Sequence, residues 1–170
     1  ELRIKVADKQ AIIFADAGQL EQVLMNLVTN ARDAMPKGGY LTISTGSAEI
    51  DDDYISAHGY GTAGKYASIS VADTGVGMNA ETQNKIFEPF YTTKGVGEGT
   101  GLGLSIAYGI IKQHKGFIQV TSEAGKGARF EILLPLSDKA ASEHHVADSS
   151  VPQGGTETIL IAEDEAPLRD

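Results

Sequence analysis

Apolar residues recur with the period of a helix over two long stretches of the chain. Between residues 16 and 35 they fall on one continuous helix face, formed by Leu20, Val23, Leu24, Leu27, Val28 and Ala31. Asp16 is the predicted N-cap, and Gln19 follows three residues later in the spacing of a capping box. A second helix is predicted over residues 102–115, with Ile106, Ala107, Ile110 and Ile111 facing inward.

Six shorter stretches have the pattern of β-strands. They cover residues 2–6, 11–15, 40–45, 65–72, 116–123 and 128–135. Residues 51–64 are acidic and glycine-rich, which favours a loop, and residues 79–101 are predicted to be mostly loop with one short helix over 80–87. Strands and helices that cluster rather than strictly alternate favour an α+β two-layer sandwich, with helices on one face of a mixed sheet.

Composition and charge narrow the function classes. Hydrophobic residues make up 41% of the 170 residues and charged residues 22%, as in soluble globular proteins. No membrane span and no signal peptide are recognisable. The absence of cysteine excludes disulfides and thiolate metal sites, and it fits a reducing compartment. The net charge of -9 argues against nucleic-acid binding, so an anionic ligand would have to be bound locally.

The pattern divides the chain into three parts. Residues 1–136 hold the predicted strands and helices of one domain. Residues 137–157 contain few large apolar side chains and are predicted to be a linker. Residues 158–170 begin a new strand that has nothing to pack against, so we expect the chain to be a fragment of a longer protein.

Glycines occupy every second position from Gly97 to Gly103, directly before the second helix. A glycine-rich loop at a helix N-terminus suits a phosphate group, because it offers free backbone N–H groups and the positive end of the helix dipole. The spacing matches neither the GxGxxG fingerprint nor the P-loop. Thr100 is a candidate cap for this helix. The alternative is a flexible connector.

Two sets of polar side chains are further candidates. Asn26, Asn30 and Asp33 share one stripe of the first helix, and a carboxamide oxygen suits Mg²⁺; the alternative is a solvated helix face. Asp73 ends a predicted strand before Gly75 and Gly77. There its carboxylate could accept the amino hydrogens of adenine, whereas the carbonyl of guanine would be repelled. The alternative is an ordinary turn.

Phe87, Phe90 and Tyr91 form an aromatic group in a segment with little predicted structure, and core packing is the default interpretation. Lys94 follows them and could contact a phosphate as a point charge. Each of these signals is weak or moderate alone, but their order along the chain is specific.

Five segments resemble, in order, the asparagine box, first glycine box, phenylalanine box and two further glycine boxes of the catalytic ATP-binding domain of sensor histidine kinases. They are NLVTNARDAMPKGG, DTGVGM, KIFEPFYTTK, GEGTGLGLSIAYGIIKQHKG and GKGARFEILLP. The resemblance covers residues 1–136 and looks closest to the nitrogen-regulation subgroup and its hybrid relatives. It implies the Bergerat fold, an α+β two-layer sandwich with a mixed, mostly antiparallel sheet and helices on one face.

The resemblance also implies a site for ATP and Mg²⁺. Its catalytic positions are Asn26 and Asn30, and Asn30 would be the Mg²⁺ ligand. The implied ATP-binding positions are Asn30, Asp33, Asp73, Gly75, Gly77, Met78, Phe87, Lys94, Gly99, Thr100, Gly101, Leu102, Gly103 and Leu104. The tail resembles the start of a receiver domain, in which Glu163 and Asp164 would be Mg²⁺ ligands of an incomplete site.

As a family member, the domain would transfer the γ-phosphoryl group of Mg-ATP to a histidine on a separate dimerisation domain. Its partners would be that domain and a response regulator or receiver domain, without nucleic acid, in a full-length homodimer. The catalytic part would lie in the cytoplasm, whether or not the parent protein is membrane-anchored. The four histidines of the chain lack the sequence context of an acceptor, so we do not expect the chain to phosphorylate itself.

Two positions leave alternatives open. Related ATP-hydrolysing enzymes carry a glutamate where this chain has Asn26, and an amide is a poor general base, which favours transfer over an ATP hydrolase. Ala128 stands where the family often has Thr or Ser, so a hydroxyl that could help hold Asp73 is missing. A nucleotide-sensing module without catalysis is therefore the third hypothesis.

Overall fold

The computed structural model describes residues 1–7, 11–95 and 99–137. In chain order these residues form β1 (Leu2–Lys5), α1 (Ala17–Ala34), β2 (Leu41–Ile50), α2 (Asp52–His58), β3 (Gly64–Asp73), α3 (Ala80–Lys85), α4 (Gly103–Gln113), β4 (Phe117–Ser122) and β5 (Ala128–Pro135). None of these helices is long and apolar enough to cross a membrane. The predicted linker and receiver segment, with Glu163 and Asp164, lies outside the described residues, so the predicted domain division stays a prediction.

The strands form one mixed sheet in the order β1-β2-β3-β5-β4. β1 and β2 are parallel, and the other three neighbouring pairs are antiparallel. Because side chains alternate between the two faces of a strand, the register decides which of them share a face. Val71 is paired with Phe130 and Ile69 with Ile132, and all four pack in the main core. The sheet confirms the predicted α+β sandwich.

Helices α1 and α4 cover the face of the sheet that carries this core. α1 buries Val23, Leu27 and Ala31, which belong to the apolar face predicted from its sequence. α4 buries Ala107, Ile110 and Ile111 in the same way. The period of the apolar residues therefore identified both helices and the side that each one buries.

The N-terminus of α1 is capped by Asp16, as predicted. Its Oδ1 accepts a hydrogen bond from the backbone N–H of Gln19 at 2.9 Å. The reciprocal half of a capping box is absent, because the backbone N–H of Asp16 donates instead to Nε2 of His114 at 3.1 Å. Gln19 Oε1 is buried and has no hydrogen-bond partner among the described residues. This cap links the start of α1 to the end of α4.

Residues 51–64 contain helix α2, so the predicted loop is wrong. Asp51 caps α2 by accepting the N–H of Tyr54 at 2.8 Å, and Gly59 ends the helix with a φ of 72°. Tyr54 packs edge-on against Phe117, with ring centroids 5.2 Å apart. Phe117 is paired with Leu133, whose side chain points away from the main core, so α2 lies on the opposite face of the sheet. The prediction of helices on one face therefore holds for α1 and α4.

Residues 11–15 do not form the predicted strand, and the sheet has five strands among the described residues instead of six. Ile13 makes a single isolated bridge with Leu136, and the carbonyl of Ile12 accepts the N–H of Ser137 at 2.8 Å. The chain then enters α1 directly after Asp16. Only Ile13 of this segment finds a pairing partner, although its apolar residues suit a strand.

Candidate functional site

A cavity of about 730 Å³ opens between α1, the N-terminus of α4 and the adjoining ends of β3 and β5. The segments 76–78, 91–94 and 99–101, together with Thr82 and Ile86, form further parts of its wall. Apolar side chains, among them Met78 and Phe130, line the part near the sheet. Polar groups of α1 and Lys94 line a polar part, in which Asn26 contacts the N-terminus of α4. A small molecule with an apolar ring at one end and charge at the other matches this division.

Asp73 places a buried carboxylate in the cavity. It is the last residue of β3 and is 9% exposed. Its Oδ1 accepts the backbone N–H groups of Gly75 at 2.7 Å and Ala128 at 3.3 Å. No described residue donates to Oδ2. Two backbone donors stabilise the buried charge and fix the orientation of the carboxylate, so Oδ2 can accept hydrogen bonds from a ligand.

The backbone of Ala128 supplies one of the two donors to Asp73. Its side chain lacks the hydroxyl that the resembled family often has at this position. The structure shows that part of the support for the carboxylate comes from the main chain, which is independent of the side chain at position 128.

The turn after β3 forms part of the cavity floor. Gly77 lines the cavity with a φ of 63°, and an added Cβ there would overlap the carbonyl oxygen of Glu123. The N–H of Gly125 donates to the carbonyl of Val76 at 2.7 Å, and the N–H of Val76 donates to the carbonyl of Ala34 at 3.0 Å. The floor is therefore fixed both to the β4–β5 turn and to the C-terminal end of α1.

The polar stripe of α1 lies beside the N-terminus of α4. Asn26 Nδ2 donates to the carbonyl oxygen of Gly103 at 3.1 Å. Asn30 lies one turn further along α1 and lines the cavity, and its side chain makes no hydrogen bond with another described residue. Asn26 therefore has a positioning contact within the fold, whereas the amide of Asn30 remains available to a ligand.

The N-terminus of α4 has no side-chain cap from its N-cap residue, Leu102. The predicted cap by Thr100 is wrong. Its Oγ1 accepts the N–H of Leu102, which precedes the first residue of the helix, at 3.3 Å. Gly103 and Leu104 line the cavity. The first N–H groups of this helix can therefore bind an anion.

Asp33 and Lys94 form an ion pair at the cavity wall. Lys94 Nζ lies 2.6 Å from Asp33 Oδ2, and both side chains are about one-third exposed. The guanidinium of Arg32 contacts the other oxygen, Oδ1, at 3.1 Å. The hydrogen bond from Lys94 lowers the pKa of Asp33 below its ordinary value, with a smaller contribution from Arg32.

The cavity brings together most of the ATP-binding residues implied by the sequence. Those that line it are Asn30, Asp33, Asp73, Gly77, Met78, Lys94, Gly99, Thr100, Gly101, Gly103 and Leu104, and the catalytic position Asn26 lines it as well. Gly75, Phe87 and Leu102 do not line it: Gly75 orients Asp73, Phe87 packs on Tyr108 with ring centroids 5.4 Å apart, and Leu102 precedes α4. The assignment of nucleotide-binding roles to individual residues stays a prediction.

Several residues that line the cavity were not predicted from the sequence. They include Thr29, Val76, Thr82, Ile86, Tyr91 and Phe130. The Tyr91 hydroxyl donates to Thr82 Oγ1 at 3.4 Å, which joins the aromatic segment to α3. The aromatic group was a signal for Tyr91, but the others are ordinary residues whose place in the wall depends on the tertiary fold.

The fold and the cavity define a class of α+β sandwich domains in which a buried carboxylate and a helix N-terminus face one ligand site. A family model described as Histidine kinase-, DNA gyrase B-, and HSP90-like ATPase matches residues 15–138, and the chain belongs to this family. Membership in this ATPase family implies that the domain binds a nucleotide.

The curated relatives include sensor kinases. The chain is 46% identical over 163 residues to Sensor kinase CckA of Brucella abortus, an alignment that covers 91% of the chain and 17% of that protein. It is 43% identical over 125 residues to Sporulation kinase C of Bacillus subtilis, covering 74% of the chain and 25% of that protein. The chain therefore spans a quarter or less of the length of these two relatives.

Solved structures of histidine kinases share the fold. Full-length ShkA in complex with AMPPNP matches with a TM-score of 0.63 at 30% identity, covering 83% of the chain and 26% of that chain. The nucleotide-free catalytic domain of histidine kinase ThkA matches with a TM-score of 0.61 at 31% identity, covering 80% and 78%. These findings confirm the resemblance to the catalytic ATP-binding domain of sensor histidine kinases.

Proposed function

We propose that this domain binds Mg-ATP and transfers the γ-phosphoryl group to a histidine on a separate dimerisation domain, in two-component signal transduction. The observation that carries the proposal is that the fixed carboxylate of Asp73 and the N-terminus of α4 line the same cavity. One recognises a base and the other suits phosphate. Family membership and the kinase relatives support the same function.

Asp73 would recognise the adenine ring. Its free Oδ2 can accept a hydrogen bond from the exocyclic amino group, while the backbone donors on Oδ1 hold the carboxylate in place. Guanine has a carbonyl oxygen where adenine has the amino group, and two acceptors repel each other. A charge-assisted hydrogen bond of this kind contributes about 1.5–3 kcal/mol, which corresponds to a preference for adenine of roughly tenfold or more.

The polar part of the cavity fits a Mg²⁺-bound triphosphate. The amide oxygen of Asn30 is a hard ligand suited to Mg²⁺, which takes few protein ligands when phosphates and waters supply the rest. When bound, the ion would supply charge neutralisation for the phosphate oxygens. The N–H groups at the start of α4 and the ammonium group of Lys94 would orient the phosphate chain.

Asn26 supports transfer rather than hydrolysis. Its Nδ2 is engaged with the carbonyl of Gly103, and an amide group cannot take a proton from water as a carboxylate can. In the transfer reaction the bond between the γ-phosphorus and the bridging oxygen breaks, ADP leaves, and a bond forms to a ring nitrogen of the acceptor histidine. The acceptor would come from the dimerisation domain of a full-length homodimer, whose catalytic part would lie in the cytoplasm. A response regulator or receiver domain would then accept the phosphoryl group from the histidine.

A calorimetric titration with a non-hydrolysable ATP analogue tests the site. We expect Mg²⁺-dependent binding that is weaker for GTP and at least tenfold weaker in Asp73→Asn. Asp52→Asn is the matched control, because it makes the same substitution at an exposed position of α2 on the opposite sheet face. Equal affinity for ATP and GTP, or an unaffected Asp73→Asn variant, would refute the assigned base site.

A second experiment tests the reaction. The domain is mixed with a folded, histidine-containing dimerisation domain and ATP, and phosphohistidine is measured. Formation of phosphohistidine is expected, together with little release of free phosphate by the domain alone. Steady phosphate release without an acceptor would instead favour an ATP hydrolase, and nucleotide binding without either reaction would favour a sensing module.

A further inference from the structure

The ion pair between Asp33 and Lys94 places a negative charge at the polar part of the cavity. Asp33 lies one turn after Asn30 on α1, and both residues line the cavity together with Lys94. The Lys94 Nζ to Asp33 Oδ2 distance of 2.6 Å is that of a strong, charge-assisted hydrogen bond. A phosphate chain in this part of the cavity would approach a carboxylate that already holds the nearby ammonium group.

The contacts of Asp33 suggest a role beyond stabilising the fold. Both side chains of the pair are about one-third exposed, and an ion pair at such a position adds little to folding stability. Arg32, the second cation on Asp33, is three-quarters exposed. Lys94 lies between Phe90 and Gly101 in the chain, and the N–H of Phe90 donates a hydrogen bond to the carbonyl of Gly101 at 2.9 Å.

We propose that Asp33 is a specificity-determining residue that competes with the phosphate chain of the nucleotide for Lys94, so that ligands with more phosphate groups are favoured. The inference rests on the proposed function and assigns Asp33 a role that differs from direct contact with ATP. A lysine ammonium is a compact point charge that can shift from one anion to another. A nucleotide monophosphate has too little charge at this end to draw Lys94 from Asp33, whereas a triphosphate does.

The competition predicts the sign of each substitution. Asp33→Asn keeps the shape of the side chain and removes its charge, so Lys94 becomes free to bind phosphate and affinity rises. Lys94→Gln removes the cation, so affinity falls. If Asp33 were instead a ligand of the nucleotide or its metal ion, Asp33→Asn would lower affinity. The direction of the change therefore separates the two roles.

The test is a set of calorimetric titrations with AMP, ADP and a non-hydrolysable ATP analogue, each with Mg²⁺. They are made on the wild-type domain, Asp33→Asn, Lys94→Gln and the double variant. We expect Asp33→Asn to bind the ATP analogue about two- to fivefold more tightly, the range expected for a partly exposed ion pair, and to bind AMP unchanged. The gain should be smaller in the Lys94→Gln background, which has no ammonium to release.

Glu81→Gln is the matched control. It removes a carboxylate from another lysine, Lys85, at 3.0 Å, and neither residue lines the cavity. It changes the net charge of the protein by the same amount and should leave all affinities unchanged. Thermal unfolding of each variant checks that substitutions at these exposed or partly exposed positions leave the domain folded.

The outcomes distinguish this inference from the proposed function. A wild-type domain that binds none of the three nucleotides would overturn both. Nucleotide binding by the wild type with weaker or equal binding by Asp33→Asn would overturn the competition alone. An equal gain for AMP, or an equal gain with and without Lys94, would show simple charge repulsion and would likewise overturn it.

Discussion

The substitution Gly77→Ala probes the close contact between the cavity floor and the β4–β5 turn. Gly77 has a φ of 63°, and an added Cβ would overlap the carbonyl oxygen of Glu123. An alanine in the left-handed region costs about 1–2 kcal/mol. Forcing an extra methyl group into a packed contact costs about 1–3 kcal/mol more, since the backbone has to shift. We therefore expect Gly77→Ala to lower the free energy of unfolding by about 2–5 kcal/mol.

The matched control is Gly38→Ala. Gly38 also has a positive φ, of 81°, but an added Cβ there would meet no atom within 4 Å. Only the conformational cost of about 1–2 kcal/mol applies. The difference between the two variants measures the steric contribution at Gly77.

Urea denaturation gives the stability of both variants, and titration with a non-hydrolysable ATP analogue gives their affinity. Gly77→Ala should also weaken nucleotide binding, because the displaced turn carries Met78 and follows Asp73 directly. Gly38 does not line the cavity, so its substitution should leave affinity unchanged. Equal stabilities of the two variants would refute the contact between Gly77 and Glu123.

Three further predictions concern capping, pH and the contact between helices. Asp16→Ala should lower stability by about 1 kcal/mol in urea denaturation, because α1 loses its N-cap hydrogen bond; Asp16→Asn should largely restore it. Burial raises the pKa of Tyr60 to about 12 from 10.0, so it contributes stability that is complete below about pH 10 and is lost as pH rises towards about 12. Tyr60→Phe should reduce this loss of stability at high pH. An unchanged dependence of the free energy of unfolding on pH would refute the prediction. Asn26→Ala should lower stability by about 1 kcal/mol and also weaken binding of the ATP analogue, because the carbonyl of Gly103 loses the hydrogen bond from Asn26. A change in stability alone would show that this contact does not position α4.

The sequence predicted the elements whose patterns are long and repeated. α1 was recognised because its apolar face continues over several turns and Asp16 precedes it. Helix α2 was missed because it has only seven residues and no repeated apolar face, although its ends carry a capping aspartate and a terminal glycine. Residues 11–15 have a strand-like composition, but only Ile13 finds a pairing partner, Leu136, so tertiary context overrode local preference.

The candidate site was predicted in its main parts because its residues lie in recognisable segments. Their mutual contacts could not be predicted from one chain. Lys94 follows Asp33 by 61 residues, and their pairing depends on how the segment after α3 meets α1. Phe87 shows that membership of a recognised segment does not guarantee a place in the site. Its ring packs on Tyr108 and does not line the cavity.

Helix α4 is joined to α1 at both of its ends. At its N-terminus the carbonyl of Gly103 accepts from Asn26, and at its C-terminus Nε2 of His114 accepts from the backbone N–H of Asp16. These two hydrogen bonds preorganise the anion-binding end of α4, because its orientation is set when the domain folds. The entropy of fixing these donors is therefore lost during folding, and a phosphate group encounters N–H groups that are already in place.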